Sequence, residues 1–353
     1  MTPKPKLNPT WDSPEGRTVA VVGAGSWGTT LANLLADKGL NVHLWVREPE
    51  VHEDLLRDRV NHTFLPGIRL SARLAFSRDL PAVFQDAGVV LMAIPSHVFR
   101  EVLRALKPFF PPGAVLLSAA KGMEIDSMLT MEGVAREELG PEVAYAVLSG
   151  PSFAMETAQK QPTAVTIASR QREVARYLQK LCSAPYFRVY TGLDVTGVEL
   201  GGALKNIFAI GAGILGGMGL GDNSRAALIT RGLAEMSRLG VRLGANPMTF
   251  TGLAGVGDLL LTCTSTQSRN FQVGFKLGQG QPLDQILAGM AMVAEGVKTS
   301  RAVHLLAGRL GVEVPLVAAI YKILYDGLAP KEAIKKLMAR ELKDELEAMS
   351  ETW

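Results

Sequence analysis

A glycine-rich turn after the first strand-like run constrains the fold of this chain more than any other feature. The β-branched run at 18–22 leads into the motif GAGSWG at 23–28, and a helix-like segment follows directly. A G-x-G-x-x-G motif between a strand and a helix is typical of dinucleotide binding. Gly23 would permit the tight turn, Gly25 would leave room for a pyrophosphate, and Gly28 would let the helix pack closely. The sequence therefore predicts phosphates held against free N–H groups at a helix start.

The balance of charges limits the class of partner. The chain has 353 residues, enough for two domains, and its hydrophobic content of 47% allows a large core. Lys plus Arg number 37 against 34 for Asp plus Glu, which is too balanced to indicate nucleic acid binding. We expect no nucleic acid partner, while a few well-placed cations could still bind a small anion.

Cysteines, apolar stretches and the N-terminal residues indicate a cytoplasmic protein. Cys182 and Cys263 lack metal-ligand neighbours at finger spacing, so we expect no metal site and two reduced thiols. The longest uncharged stretch, residues 18–36, approaches membrane-span length, but its glycines and hydroxyl groups fit a strand, turn and helix instead. Residues 1–16 contain four prolines, and we interpret them as a flexible tail rather than a signal peptide.

Strand-like and helix-like segments alternate through the first half of the chain. After the glycine turn, strands are predicted at residues 41–47, 74–76, 88–94, 114–120, 145–148, 164–168 and 187–190. Near-continuous apolar strands separated by helices predict a mostly parallel sheet covered on both faces. Ligands are then expected beyond the carboxyl ends of the strands.

Helical spacing replaces the β-branched runs from about residue 196. An Asn223-Ser224 cap predicts a helix ending at Gly240, and further helices are predicted over 299–309, 316–325 and 331–349. Charged side chains recur along the first of these helices, and we interpret them as a solvated face; they are Arg231, Glu235, Arg238 and Arg242.

The expected class is therefore α/β, with two domains in sequence. Residues 17–196 are predicted to form a Rossmann-like, dinucleotide-binding domain with a parallel sheet. Residues 197–353 are predicted to form an all-helical, substrate-binding domain.

The end of the second predicted strand bears on the cofactor. A Rossmann fold is expected to place a ribose-binding acid about twenty residues past the glycines. This chain has Arg47 there, followed by Glu48. The planar guanidinium of Arg47 suits the 2′-phosphate of NADP, whereas Glu48 could reach the ribose of NAD. The residues favour NADP and leave NAD open, and the alternative is that Arg47 is an ordinary surface residue in a loop.

Lys205 is the leading candidate for proton transfer. It lies in an apolar segment rich in glycine and alanine, and sixteen uncharged residues separate it from Asp222. A lone charge in such surroundings is costly to bury, and burial would lower the pKa of its amine towards neutrality. A proton donor and acceptor beside a carbonyl or alcohol is one interpretation. A lysine that snorkels from a packed helix is the other.

Polar residues in three further places are candidates for the same site. Asp258 stands beside a strongly apolar run and could orient Lys205 or bind a hydroxyl group, or simply cap a helix. Ser268-Arg269-Asn270 offers a hydroxyl, a guanidinium and an amide suited to a phosphate, or forms an ordinary polar turn. Lys121-Gly122 and the segment 149–154 each follow a predicted strand, at the edge where ligands bind, or form common loops.

Taken in order, these segments resemble the NAD(P)-dependent glycerol-3-phosphate dehydrogenases of the bacterial type. The resemblance covers nearly everything after residue 16. It is carried by GAGSWGTTLA at 23–32, PSHVF at 95–99, KG at 121–122, SGPSFA at 149–154, GGALKNIFAIGAG at 201–213, NSRAALITRGLAEM at 223–236, GVGDLLLTC at 255–263, QSRN at 267–270 and VAEG at 293–296. Similar sequences often carry an acid where this chain has Gly216-Gly217.

The resemblance implies reversible reduction of dihydroxyacetone phosphate to sn-glycerol 3-phosphate with NADP(H) or NAD(H). It implies a cytoplasmic homodimer that serves phospholipid synthesis, with Lys205 as proton acceptor in the oxidative direction. The cofactor-facing residues it implies, besides the three glycines, are Ser26, Trp27, Arg47, Phe64, Lys121, Ala154, Arg269, Val293 and Glu295. The substrate-facing residues it implies are Lys121, Gly150, Ser152, Lys205, Asp258, Ser268, Arg269 and Asn270.

Two other functions remain open from the residues alone. A different dehydrogenase of the same architecture, acting on a 3-hydroxy acid or a sugar acid, could use the turn at 268–270 to bind a carboxylate. A nucleotide-sensing regulator would need no proton-transfer residue, and Lys205 in its apolar segment argues against that function.

Overall fold

A computed structural model describes residues 18–290, 293–342 and 344–345 of the chain. Strands and helices alternate up to residue 192, and helices follow from residue 195. The flexible tail expected at residues 1–16 lies outside the described residues.

The strands agree closely with the apolar runs of the sequence. They are β1 (Thr18–Val22), β2 (Asn41–Trp45), β3 (Val60–Asn61), β4 (Leu65–Arg69), β5 (Leu74–Ser77), β6 (Ala87–Met92), β7 (Val115–Ser118), β8 (Ala144–Ser149), β9 (Thr163–Ala168) and β10 (Phe187–Gly192). Each predicted strand is present, with its ends shifted by no more than two residues. The antiparallel pair β3–β4 is an addition that the sequence pattern did not predict.

A single sheet of eight strands forms the centre of the described first half. Its order is β10-β9-β8-β7-β6-β1-β2-β5, and neighbouring strands run parallel except β8 and β9. Alternate residues of β1 enter different cores: Val19 and Val21 join the apolar cluster on one face, and Ala20 and Val22 join that on the other. The predicted parallel sheet, buried on both faces, is thereby confirmed.

The strand order creates a crevice at the carboxyl edge of the sheet. The chain continues from β1 to β2 on one side, whereas β6 pairs with β1 on the other. The connections after β1 and β6 therefore leave in opposite directions. In open parallel sheets, such a switch point is where ligands bind.

Helices cover the sheet and form the whole second half of the described chain. Those of the first half are α1 (Ser26–Asp37), α2 (Pro49–Asp58), α3 (Leu80–Phe84), α4 (Phe99–Leu106), α5 (Met131–Leu139), α6 (Ala154–Ala158) and α7 (Arg172–Cys182). Those of the second half are α8 (Val195–Gly217), α9 (Asp222–Arg242), α10 (Asp258–Thr264), α11 (Arg269–Gly278), α12 (Leu283–Ala288), α13 (Glu295–Leu310), α14 (Pro315–Tyr325) and α15 (Pro330–Met338). Shorter turns of 3₁₀ helix occur at Ser96–Val98, Lys107–Phe109 and Pro247–Thr251, and a π-helical turn at Leu253–Gly257.

Helix α8 is the centre of the helical half. It has 23 residues, and by length and hydropathy it could cross a membrane, but its apolar window is 100% buried inside the protein. A Cβ added at Gly213 would lie 2.1 Å from the carbonyl oxygen of Phe271, and one at Gly217 would lie 2.0 Å from that of Phe275. The glycines of α8 therefore allow the backbone of α11 to approach closely. Because of this approach, no side chain larger than hydrogen fits at position 217.

Three local predictions for the helices were wrong. Helix α9 begins at Asp222 after Gly221, and the described residues give it no side-chain cap, so the Asn223-Ser224 cap is not formed. It also continues past Gly240 to Arg242. The last helix ends at Met338 rather than near residue 349, and Arg340 instead pairs with Glu313.

A fourth error concerns the charged stripe on α9. Glu235 is 3% exposed and accepts hydrogen bonds from the backbone N–H groups of Leu316, at 2.7 Å, and Val317, at 3.1 Å. Its carboxylate thus satisfies the start of α14, as anions do at helix N-termini. Arg231 and Arg242 are exposed, as a solvated face requires. The helical spacing correctly places these charged residues on one side of α9. It does not reveal that α14 packs on the part of that side that contains Glu235.

Candidate active site

The glycine turn forms one wall of the crevice. Gly23 has φ +108°, and a Cβ there would lie 2.7 Å from the carbonyl oxygen of Ala93 in the connection after β6. A Cβ at Gly28 would lie 1.9 Å from the carbonyl oxygen of Gly23. At Gly25, by contrast, no described atom lies within 4 Å of the Cβ position. The turn is therefore closed at its two ends and open in the middle, where helix α1 begins.

A buried amide supports this turn from the β3–β4 pair. The side-chain nitrogen of Asn61 donates to the carbonyl oxygen of Ala24 at 2.8 Å and to the hydroxyl of Thr29 at 2.9 Å. Its side-chain oxygen accepts from the backbone N–H of Phe64 at 2.9 Å. Asn61 is fully buried. The contact ties Phe64, a predicted cofactor-facing residue, to the glycine turn.

The other predicted cofactor residues of the first half lie around α1. The hydroxyl of Thr30 donates to the carbonyl oxygens of Ser26, at 2.8 Å, and Ala154, at 3.2 Å, so the start of α6 meets the start of α1. Trp27 packs on Phe187, and its buried Nε1 has no hydrogen-bond partner among the described residues.

Arg47 follows β2 at the same edge of the sheet. Its side chain is 71% exposed, and it forms an ion pair of 2.6 Å with Glu48. The two residues that could select between a 2′-phosphate and a ribose hydroxyl thus lie together at the surface.

A cluster of buried charged side chains that could carry out chemistry lies between the sheet and α8. The ammonium of Lys205 donates to Oδ1 of Asp258 and, at 2.9 Å, to the hydroxyl of Thr262. Oδ2 of Asp258 accepts from the ammonium of Lys121 at 2.8 Å, and Lys121 also donates to the carbonyl oxygen of Gly150 at 3.0 Å. One carboxylate therefore binds two ammonium groups from different halves of the chain.

Backbone geometry brings these residues together. A Cβ at Gly201 would lie 2.3 Å from the carbonyl oxygen of Ala254, so α8 touches the π-helical turn that precedes Asp258. A Cβ at Gly202 would lie 2.8 Å from the hydroxyl of Ser149, at the end of β8. These approaches place Lys205 beside both the start of α10 and the carboxyl edge of the sheet.

Burial sets the protonation behaviour of the Lys205–Asp258 pair. Desolvation lowers the pKa of Lys205 to about 8, although the charge of Asp258 opposes this shift. Burial also disfavours the charged form of Asp258, but the charges of Lys121 and Lys205 outweigh it and hold its pKa below the ordinary value. An amine with a pKa of about 8 can both give and take a proton near neutral pH.

Two residues of the polar turn at 268–270 make hydrogen bonds that stabilise the fold. The hydroxyl of Ser268 caps α11 by accepting from the N–H of Phe271 at 3.2 Å. Asn270 donates to the side-chain oxygen of Asn206 at 2.9 Å and accepts from the N–H of Gly296 at 2.9 Å. Both residues therefore hold α11 in place, whether or not they also contact a ligand.

Arg269 lies between these two residues, at the first position of α11. Its side chain is exposed to solvent, yet the surrounding protein lowers its pKa by desolvation, as in a cleft. Among the described residues it makes no hydrogen bond and no ion pair. The charge of Glu295 acts on it from nearby. A cation of this kind, lining a cleft, is suited to an anionic ligand.

The remaining predicted residues lie in the connection after β8 and at the start of α13. Gly150 has φ +145°, and its carbonyl oxygen accepts from the hydroxyl of Ser152 at 2.9 Å as well as from Lys121. Val293 is 39% exposed just before α13, which Glu295 begins.

Sequence reasoning missed three residues of this region. Thr262 accepts from Lys205, Asn206 links Lys121 to α11, and Ser96 donates to Glu295. The spacing of Asp258 and Thr262, four positions apart on one helix, could have indicated the first. The other two depend on segments distant in sequence, and no local pattern identifies them.

The residues present fit a nicotinamide dinucleotide. The open position at Gly25 lies at the start of α1, where free N–H groups favour phosphates, and Arg47 stands where a ribose phosphate or hydroxyl would lie. Among the described residues, no group of three or more His, Cys, Asp or Glu side chains could hold a metal ion.

Comparisons with known proteins agree with this arrangement. Residues 18–175 match the model for the N-terminal part of NAD-dependent glycerol-3-phosphate dehydrogenase, and residues 194–335 match that for the C-terminal part. The chain is 52% identical over 334 residues to glycerol-3-phosphate dehydrogenase [NAD(P)+] of Syntrophobacter fumaroxidans, covering 94% of this chain and 98% of that one. It is 54% identical to the Geobacter metallireducens protein of the same name, with 94% and 99% covered.

A solved structure shows the same fold. The crystal structure of glycerol-3-phosphate dehydrogenase from Coxiella burnetii superposes with a TM-score of 0.89 at 40% identity, covering 92% of this chain and 99% of that chain. A glycine turn at the switch point of a parallel sheet, together with a buried lysine near the carboxyl edge of that sheet, defines a dehydrogenase that uses a nicotinamide nucleotide. The chain belongs to the NAD-dependent glycerol-3-phosphate dehydrogenase family, and the resemblance seen in the sequence is confirmed.

Proposed function

We propose that this chain catalyses the reversible reduction of dihydroxyacetone phosphate to sn-glycerol 3-phosphate with NAD(P)H. The observation that carries the proposal is the buried ammonium of Lys205, held by Asp258 and Thr262 where the helices meet the carboxyl edge of the sheet. The cofactor supplies the hydride, and the protein must supply one proton and hold the reacting groups together.

Lys205 moves the proton. In the reductive direction its protonated amine donates to the oxygen of the substrate carbonyl, and in the oxidative direction its neutral amine accepts the proton of the alcohol. Asp258 orients this amine through Oδ1, and the hydroxyl of Thr262 is fixed by its own donation to the carbonyl oxygen of Asp258 at 2.6 Å. Thr262 therefore has a lone pair directed at Lys205, which leaves the remaining N–H of the amine for the substrate.

Cations from both halves of the chain bind the substrate phosphate. A phosphate monoester carries about −1.5 to −2 charges near pH 7, so it needs charged partners. Arg269 offers an unengaged guanidinium in the cleft, and Lys121 stands on the opposite side, attached to Asp258 and Gly150. Ser152 and Asn270 are the further polar groups that we assign to this phosphate site. Substrate binding should therefore hold the sheet and the helices together.

The first half of the chain holds the dinucleotide. The turn at 23–28 would hold the pyrophosphate with Ser26 and Trp27 at the start of α1, and Arg47 would hold the 2′-phosphate of NADP. Phe64, Ala154, Val293 and Glu295 complete the predicted binding surface. The boundaries that we propose are 17–196 for this unit and 197–353 for the helical unit.

The cellular setting completes the proposal. Cys182 and Cys263 are free and buried, in keeping with a reducing cytoplasm. We assign a cytoplasmic homodimer that acts on a small phosphorylated substrate and supplies phospholipid synthesis.

A spectrophotometric assay tests the function. Purified protein is mixed with dihydroxyacetone phosphate and NADPH or NADH, and the absorbance of the reduced nicotinamide is followed. The expected result is oxidation of at least one nicotinamide that depends on the phosphorylated ketone. Turnover with a 2-keto acid or a sugar acid, and none with dihydroxyacetone phosphate, would exclude the proposal.

A further inference from the structure

A two-point contact joins the sheet to the helices at the far wall of the crevice. Ser96 begins the turn that follows β6, and Glu295 begins α13, 199 positions further along the chain. The backbone N–H of Ser96 donates to Oε1 of Glu295 at 3.2 Å, and its hydroxyl donates to Oε2 at 2.5 Å. Ser96 therefore binds both carboxylate oxygens, and the carboxylate cannot rotate without losing a hydrogen bond.

A third segment closes around this contact. A Cβ at Gly122, in the connection after β7, would lie 2.2 Å from the hydroxyl of Ser96 and 3.1 Å from Oε2 of Glu295. The serine is 3% exposed. The connections after two neighbouring strands thus meet one helix N-terminus at a single carboxylate, at the edge of the sheet where we propose that the dinucleotide binds.

The charges around Glu295 come from the helical half. Arg269 and Lys298 both act on it, and burial raises its pKa while the hydrogen bonds of Ser96 oppose that shift. Without those hydrogen bonds, the carboxylate would lose two of the groups that favour its charged form. Its orientation towards Arg269 would also no longer be fixed.

We propose that Ser96 is a positioning residue of the cofactor site, which acts by fixing the carboxylate of Glu295 across the boundary between sheet and helices. The proposal rests on the proposed function, since it assumes that Glu295 faces the cofactor. Ser96 itself need not touch the dinucleotide. Its contribution is to present the Glu295 carboxylate, with Arg269 beside it, in one orientation before the ligand arrives.

Cofactor affinity is the direct test, and isothermal titration calorimetry with NADPH and NADH measures it without turnover. A hydrogen bond to a charged group contributes about 1.5–3 kcal/mol, so Ser96→Ala should weaken cofactor binding roughly tenfold or more. At saturating cofactor, kcat should stay within about twofold of the wild type. A dissociation constant within twofold of the wild type would overturn the proposal.

A double-mutant cycle separates positioning from a general structural effect. In the Glu295→Ala background, Ser96→Ala should weaken binding by less than twofold more, because the group it positions is gone. Additive effects in the cycle would show that Ser96 acts by another route. The matched control is Ser300→Ala, which removes another buried serine hydrogen bond, to the carbonyl oxygen of Val297 on the same helix. It should change the melting temperature and leave cofactor affinity unaltered.

A second variant covers the case in which Ser96→Ala does not fold. Glu295→Asp keeps the charge but shortens the side chain, so its carboxylate no longer reaches Ser96, and the same loss of affinity is expected. Unchanged affinity in this variant counts against the proposal. Failure of the wild type to reduce dihydroxyacetone phosphate would instead exclude the proposed function, and the binding cycle would still report on Ser96.

Discussion

Lys205 lies against one carboxylate oxygen of Asp258, 53 positions further along the chain, and Lys121 occupies the other oxygen. Two ammonium groups and one carboxylate leave a net positive charge in a buried site. Such a site favours an anionic substrate. It also keeps the pKa of Lys205 near neutral pH, where the amine can both give and take a proton.

Removal of the Lys205 amine should abolish most of the activity without unfolding the protein. General acid–base catalysis contributes about 10²–10⁴ in rate, so Lys205→Ala should lower kcat by more than about a hundredfold. Asp258 keeps Lys121 as a partner in this variant, which limits the cost of burying its charge. Steady-state kinetics measures the effect, and circular dichroism checks the fold. Turnover near the wild-type rate would refute the proton-transfer role.

The two directions of the reaction should respond oppositely to pH. The pKa of Lys205 is lowered by burial to about 8, so below this pH the amine is mostly protonated. Ketone reduction consumes that proton, and its rate should fall as pH rises through about 8. Alcohol oxidation needs the neutral amine, and its rate should rise over the same interval. Initial rates in both directions between pH 6 and 10 would show the crossing, and parallel profiles would contradict it.

Loss of the charge of Asp258 should move this pH dependence. Its carboxylate raises the pKa of Lys205 against the effect of burial. In Asp258→Asn that support is gone, so reduction should be lost at a lower pH than in the wild type, and kcat should fall as well. Thr262→Ser keeps the hydroxyl that accepts from Lys205 and serves as the control with an unmoved profile. A lower kcat at an unchanged profile would indicate a different role for the carboxylate.

Arg269 should discriminate between phosphorylated and unphosphorylated substrates. Charge-assisted hydrogen bonds contribute about 1.5–3 kcal/mol, so Arg269→Ala should lower kcat/KM for dihydroxyacetone phosphate at least tenfold. Activity with dihydroxyacetone, which has no phosphate, should be much less affected. Arg269→Lys should recover part of the loss, because it restores the charge without the planar fork. An equal loss with both ketones would argue against phosphate binding.

Arg47 should make the enzyme favour NADPH over NADH. Its ion pair with Glu48 should weaken this preference, because the carboxylate competes with the 2′-phosphate for the guanidinium. Arg47→Ala should raise KM for NADPH about tenfold and leave KM for NADH within about twofold. Glu48→Gln removes the competing carboxylate and should move preference in the opposite direction, towards NADPH. Both variants lie at an exposed strand end, so stability should change little. A strong preference of the wild type for NADH would contradict the role of Arg47.

The sheet was predictable because its strands are nearly uniform apolar runs. A parallel strand that is buried on both faces is apolar along its whole length. Runs such as 18–22 and 88–94 can therefore be recognised as strands without knowledge of their neighbours. The β3–β4 pair was missed because Pro66 and Gly67 interrupt the second strand and its side chains do not alternate. The position of Asn61 behind the glycine turn follows from that pair and could not be predicted without it.

Sequence reasoning identified candidates for the site but not their contacts. Lys205 and Asp258 were singled out because an isolated charge among apolar residues is costly to bury. That Lys121 shares the same carboxylate depends on the packing of α8 against the end of β8, which no local pattern encodes. The same limit explains the error at Glu235, whose partners lie 81 and 82 positions away.

The reciprocal glycines of α8 and α11 have a mechanical consequence. Gly213 and Gly217 meet carbonyl groups of α11, while Gly274 and Gly278 meet those of Ile210 and Ile214 on α8. At these four described positions the backbones of the two helices are in direct contact, with no flexible side chain between them. Lys205 and Arg269 thus lie on two helices held rigidly together, so the spacing between the proposed proton-transfer and phosphate-binding groups is set when the chain folds.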